Sequence, residues 1–277
     1  MWAVGGSDSS GGAGIQADIR TIHNLGVHAG SIVTAVTAQG ARGVSGVWPV
    51  PLETLAAQWE VLERDLPPAV IKIGMLGTAA HVRFVAERLR NLGVSAVLDP
   101  VMGASAGGAL LDDDGRYALL HELIPQVSVL TPNLVEASAL LGGRSLSTSE
   151  EIETAARNLA ALGPSTVIIK GGHGEGPLAQ DCVLSGDRLV WLSSRRLQSE
   201  HTHGTGCTFA SAYAVALSRG GSAIDAAVVA KMYVTEAIRN GYAAGQGAGP
   251  VQQGRWPQQE IDLPWSTGNA AAGSQRL

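Results

Sequence analysis

The 277-residue chain is 45% apolar and 16% charged, with 19 Lys+Arg against 24 Asp+Glu and a formal net charge of -5. Disorder is excluded as its general state, and so is a basic surplus able to neutralise a nucleic-acid backbone. No apolar run reaches the ~18 residues of a membrane span, and two cysteines, Cys182 and Cys207, are too few for a disulfide framework. A cytoplasmic protein with no membrane or nucleic-acid partner is expected.

In chain order, Trp2–Val4 predicts a first strand, followed by the glycine-rich turn GGSDSSGGAG (5–14). Ile15, Ile19 and Ile22 then recur at i, i+4 and i+7, which predicts a helix. A strand over Ser31–Ala38 precedes a helix marked by Leu55, Trp59 and Leu62. A strand over Val70–Ile73 leads to a helix marked by Val82, Val85 and Leu89, and then to a strand over Ala96–Leu98 that ends on Asp99-Pro100. Ser128–Leu130 leads into Thr131-Pro132-Asn133, with Glu136 at the spacing of a capping box. Thr166–Ile169 ends on Lys170-Gly171-Gly172-His173, and Asp181–Leu184 and Arg188–Leu192 read as a hairpin about Ser185-Gly186-Asp187. Cys207–Leu217 and Ala223–Ile238 are Ala-rich helices. Alternating helices and nearly all-apolar strands imply an α/β fold, a mostly parallel sheet covered on both faces. No linker interrupts residues 1–250, so one domain is expected there, with 251–277 as a loosely packed C-terminal tail.

Ligands of open parallel sheets bind beyond the carboxyl ends of the strands, where each of these motifs falls. GGSDSSGGAG is either an anion cradle or a tight strand–helix turn, and it lacks the Lys-Ser/Thr of a P-loop. Asp99 is either a turn former before proline or a holder of metal-bound phosphate. Helix capping alone would account for Asn133 and Glu136. Lys170, one of only three lysines with Lys72 and Lys231, points to a phosphate partner, whereas His173 reads as a surface-loop residue. In His203-Gly204-Thr205-Gly206-Cys207 the amides of Gly204 to Cys207 should converge at a helix N-terminus as an oxyanion hole. They should also lower the pKa of the Cys207 thiol.

SDSSGGAGIQADI, TAVTAQG, IKIGML, LDPVMG, TPNLVEA, IIKGGH and THGTGCT occur in this order, and VTEAIRNGYAAGQGAGPV follows. The ordered set resembles the hydroxymethylpyrimidine kinase/phosphomethylpyrimidine kinase family, the thiamine-pathway branch of the ribokinase-like enzymes, over about nine-tenths of the chain. The resemblance implies a ribokinase-like three-layer α/β/α fold, a homodimer, and ATP and Mg2+ as cofactors. It implies a phosphotransferase acting on 4-amino-5-hydroxymethyl-2-methylpyrimidine and then on its monophosphate. Carried over by motif, Gln39 would bind the aminopyrimidine edge, and Gly6, Asp18, Met75 and Val101 would line its pocket. Lys170, Thr205, Asn133 and Glu136 would bind ATP, and Asp99 with Glu136 the magnesium. Cys207 would be the catalytic base, with Gly204 and Gly206 forming the hole. The family commonly continues from Met102 with Lys-Ser-Gly or Thr-Ser-Gly, where this chain has Gly103-Ala104-Ser105-Ala106-Gly107. Pyridoxal kinase, which shares the GTGC segment, and a catalytically idle nucleotide- or pyrimidine-binding regulator are the competing readings.

Overall fold

The computed structural model describes residues 1–103, 110–172, 174 and 176–254. Its strands are β1 (Trp2–Asp8), β2 (Gly30–Gly40), β3 (Gly43–Pro49), β4 (Val70–Ile73), β5 (Ser95–Leu98), β6 (Val129–Leu130), β7 (Thr166–Ile169), β8 (Leu178–Ser185) and β9 (Arg188–Arg195). They form one nine-stranded sheet in the order β3-β2-β1-β4-β5-β6-β7-β8-β9. The pairs from β2 across to β7 are parallel, and β3, β8 and β9 add antiparallel at the two edges. The helices are α1 (Gly14–Asn24), α2 (Leu52–Asp65), α3 (Ala79–Leu92), α4 (Asp113–Ala118), α5 (Leu134–Leu140), α6 (Ser149–Ala160), α7 (Thr205–Ser218) and α8 (Ala223–Arg239).

The period-2 alternation of the central strands builds three layers. Ile71, Ile73, Leu98, Leu130, Val167 and Ile169 pack beneath α2, α3 and α6, with Leu55, Trp59, Val82, Val85 and Leu159 of those helices. Val70, Val97, Val129, Ile168 and Val183 point the other way, beneath Phe209 and Tyr213 of α7 and Ala226 and Tyr233 of α8. Each such aliphatic side chain contributes ~1.5–3 kcal/mol when fully buried. The helix ends follow local rules: Thr78 Oγ1 caps α3 by accepting from the His81 amide, and Gly93, at φ 65, stops it.

The fold adds α4 and α6, which the sequence pattern did not mark, and departs from that pattern at β1, β3 and the segment 251–253 as well. β1 runs on through the glycines to Asp8, because Gly5 and Ser7 still pair with Val33 and Val36 of β2. The edge strand β3 was not expected, since its sequence GVSGVWP lacks an apolar run and carries Trp48 60% exposed. The segment 251–253, expected to be loose, is instead packed: Val251 is fully buried, its amide donates to His203 O, and Gln253 Nε2 donates to Gly12 O at 2.9 Å. The rest of that tail (255–277), residues 104–109 with Gly107-Gly108, and His173 lie outside the described residues. Among the described residues no helix is long and apolar enough to cross a membrane.

Candidate active site

Lys72, Asp99, Lys170 and Asp181 share the alternation of Val70, Val97, Ile168 and Val183, so all four project from the α7 side of the sheet. Each lysine of the chain is paired there with an aspartate. Lys72 meets Asp18 of α1 at 2.7 Å with both side chains 1% exposed, and Ser211 Oγ of α7 donates to the same carboxylate at 2.8 Å. Lys170 meets Asp99 at 2.6 Å, and Lys231 of α8 meets Asp181 at 2.9 Å. The second oxygen of Asp181 accepts from the Gly171 amide at 2.9 Å, which ties the Lys170–Gly171 turn to α8. Burial works against the Lys72 ammonium, but the charges of Asp18, Cys207 and Asp99 outweigh it and hold the group protonated. Such pairs are poor sources of net stability, yet losing one partner strands the other.

The first turn of α7 lies against this row. Gly204, at φ 86, is its N-cap, and a Cβ there would come within 2.0 Å of Gly12 O. A Cβ on Gly206 would lie 3.1 Å from Asp99 Oδ2, so glycine at both positions permits the close approach. The amides of a first helical turn have no acceptor within the helix, and those of Gly206 and Cys207 open at this end. Cys207 is the third residue of α7, and the Gly14 amide at the start of α1 donates towards its sulfur. Contrary to the expected lowering, burial pushes the Cys207 thiol up to about 11. Asp18 and Asp99 add to that rise, and Lys72 and the Gly14 amide only partly offset it.

The β1–α1 loop resolves the choice between cradle and turn. Asp8 accepts from the amides of Ser10 and Ala13, each at 2.8 Å, from Ser10 Oγ, and from His203 Nε2 at 2.9 Å. The chain's own carboxylate therefore takes the amides that would have bound an anion. Burial acts to raise the Asp8 pKa, but the His203, Ser10 and Ala13 hydrogen bonds prevail and bring it to about 2.

The residues singled out in the sequence converge on one cavity of about 300 Å³. Gln39, Gly6, Met75 and Val101 line one end, where a Cβ on Gly6 would strike Met75 Cε at 2.7 Å. Asp18 also lines it, but both its oxygens are engaged by Lys72. Lys170, Thr205, Asn133, Glu136 and Asp99 line the other end. The capping box is fully formed, with Asn133 N donating to Glu136 Oε2 at 2.7 Å and Glu136 N to Asn133 Oδ1 at 2.9 Å. Burial pushes Glu136 up to about 7, with Asp99 adding and Lys170 and the Asn133 amide opposing. Leu197, Phe209, Val234 and Ile238 also line the cavity, an apolar stretch that no motif announced. Lys72, Lys231, Asp181 and Asp8 were also not anticipated as site residues. A lysine within the otherwise apolar VIKI strand was the available signal for Lys72.

A sequence model of the family described as phosphomethylpyrimidine kinase matches residues 8–252. A hydroxymethylpyrimidine/phosphomethylpyrimidine kinase of Streptomyces coelicolor is 45% identical, over 91% of this chain and 93% of the relative. The thiamine biosynthesis bifunctional protein ThiED of Geobacter sulfurreducens is 42% identical, over 90% of this chain and 51% of its own length. Among solved structures, the pyridoxal kinase of Staphylococcus aureus in complex with AMP-PCP and pyridoxal superposes with a TM-score of 0.88 at 32% identity, covering 96% and 97% of the two chains. Matched from the β1–α1 loop to the segment packed on His203, the chain belongs to the phosphomethylpyrimidine kinase family.

Proposed function

We propose that the chain transfers the γ-phosphate of ATP to the hydroxymethyl group of 4-amino-5-hydroxymethyl-2-methylpyrimidine, and then phosphorylates the monophosphate to the diphosphate, in thiamine biosynthesis. The observation that carries this reading is the single cavity joining Gln39 to the Asp99–Lys170 pair and the first turn of α7. Gln39 meets the aminopyrimidine edge, while Gly6, Met75 and Val101 close on the ring and Asp18 keeps Lys72 in place beneath it. The nucleotide lies with its base in the apolar stretch by Phe209 and Val234 and its phosphates at Lys170, Thr205 and Asn133.

The amides of Gly206 and Cys207 hold the charge of the phosphoryl group in transfer, and Cys207 receives the proton of the alcohol. Because the thiol stands at about 11, the rate is expected to climb with pH through the alkaline range. The donor chemistry at Asp99 and Glu136 suits magnesium, a hard cation that takes one or two carboxylates together with phosphate oxygens. Asp99 and Glu136 would hold the ion, which when bound supplies neutralisation of phosphate charge. Val36 (51% exposed) and Trp48 on the β2–β3 edge support the homodimer, and the protein acts in the cytoplasm.

The likeness to pyridoxal kinase favours pyridoxal as a second substrate. The intact Asp99–Lys170 pair and α7 start speak against an idle regulator. ADP release with the pyrimidine alcohol and with pyridoxal tests these readings together. Turnover of the pyrimidine well above pyridoxal is expected. Turnover of pyridoxal alone would reverse the assignment, and turnover of neither would leave only a binding role.

A further inference from the structure

Three polar side chains meet at the Gln39 end of the cavity. His203 Nε2 lies 2.9 Å from Asp8 Oδ2, and an ionised carboxylate can only accept, so the proton of this contact sits on His203 Nε2. The same nitrogen is 3.3 Å from one end of the Gln39 amide. At the other end Thr37 Oγ1 has a single proton for two acceptors, Gln39 Oε1 at 3.3 Å and Ser7 O, which is nearer at 3.0 Å. With the Gln39 nitrogen towards His203, two donors face each other, and Thr37 can satisfy either Gln39 or Ser7 but not both. Turning the amide end for end removes both conflicts, and hydrogen-bond partners are what decide an amide's sense.

We propose that His203, oriented by Asp8, and Thr37, oriented by Ser7, lock the Gln39 amide with its oxygen towards His203, and so fix which way round the pyrimidine ring sits. The proposal rests on the reading of Gln39 as the group that meets the aminopyrimidine edge. Around that ring the order is N3, the 4-amino group, then the 5-hydroxymethyl group. An amide whose nitrogen lies on the Thr37 side donates to N3, and its oxygen accepts from the 4-amino group. The hydroxymethyl group then lies beyond the oxygen, on the side of His203, and His203 directly precedes Gly204 and the first turn of α7. The opposite sense would turn the alcohol away from the amides that hold the phosphoryl group. His203 and Thr37 are thus positioning residues, acting through Gln39.

The test compares kcat/KM for the pyrimidine alcohol and for its 4-oxo analogue, in which a carbonyl replaces the amino group and N3 carries a proton. That exchange inverts donor and acceptor. With two mismatched groups the wild-type chain should reject the analogue by ~10²–10⁴-fold. His203→Leu and Thr37→Val each free the amide to turn, and the discrimination should fall to roughly tenfold or less. Gln39→Leu should abolish it. If Gln39→Leu leaves the discrimination intact, the reading of Gln39 fails. If Gln39→Leu abolishes it while both other variants keep it in full, the lock is overturned and the reading of Gln39 stands. A wild-type chain that uses both compounds equally also overturns the lock. Nitrogen chemical shifts of His203 in the unaltered full chain give a readout independent of activity. A proton on Nε2 is expected, and a proton on Nδ1 alone overturns the proposal.

Discussion

The two faces of the sheet are built from the same strands and hold different kinds of matter. Under α2, α3 and α6 the strands present Ile71, Ile73, Leu98 and Ile169 to a dry aliphatic layer. One residue along, the same strands present Lys72, Asp99 and Lys170 to the α7 side, where carboxylates receive the lysines. The first face is stabilised by volume and shape and tolerates exchange among apolar side chains. The second concentrates buried charge, which costs stability unless every member is matched, and chemistry is available only there. Stability and activity should therefore separate when the two faces are altered in turn.

The largest separation is expected at Cys207. Cys207→Ala should lower kcat by ~10²–10⁴ with little change in the KM for ATP, because the backbone amides remain. Cys207→Asp should recover part of the rate and flatten its rise with pH, a carboxylate being ionised where a thiol at about 11 is not. Near-normal kcat for Cys207→Ala across the pH range would move catalysis wholly to the amides.

Next comes the matched charge itself. Lys72→Met should destabilise the chain by ~3–5 kcal/mol, since Asp18 is left buried without its partner. Adding Asp18→Leu should restore most of that stability in denaturant unfolding without restoring turnover. On the dry face, Leu98→Ala should lose a similar ~2–5 kcal/mol yet keep kcat per folded molecule. Equal losses of kcat from both faces would erase the contrast.

The smallest effect is expected at Glu136. Its carboxyl is raised from 4.5 to about 7, so between those values the folded chain holds a proton that the unfolded chain has released. Stability then falls as pH rises through that window, and the full cost is felt above pH 7. Glu136→Gln keeps the capping box and removes that cost. Its unfolding temperature without metal should exceed that of the parent by a few degrees at pH 8 and by less at pH 5, while its magnesium requirement rises. An unchanged magnesium titration would leave Glu136 as a cap alone.

What was legible in the sequence follows the range of the forces involved. Val70–Ile73 and Thr166–Ile169 coincide with β4 and β7 because short apolar runs bounded by turns are local signals. The Asn133–Glu136 box is equally local. The partners of the lysines are not: Asp18 and Lys72 are 54 positions apart, and Asp99 and Lys170 are 71 apart. The Cys207 thiol was misjudged for the same reason, since the helix N-terminus is visible in the motif but the burial of the sulfur, and Asp18 and Asp99 beside it, come only with the fold. β3 escaped notice because a half-exposed edge strand with two glycines obeys no strong periodicity.

The contact of Gln253 with Gly12 joins residues 241 positions apart, and Val251 reaches His203 beside it. A ribosome adding ~5–20 residues each second needs roughly 12–50 s to travel from the first of these to the last. The parallel strands β1 to β7 can assemble during that interval, but the wall that carries His203 has no backing until residue 253 has emerged. A nascent chain of this protein can thus acquire most of its sheet well before it acquires a finished substrate cavity, and a message cut short near residue 245 would yield a folded body with an unbraced site.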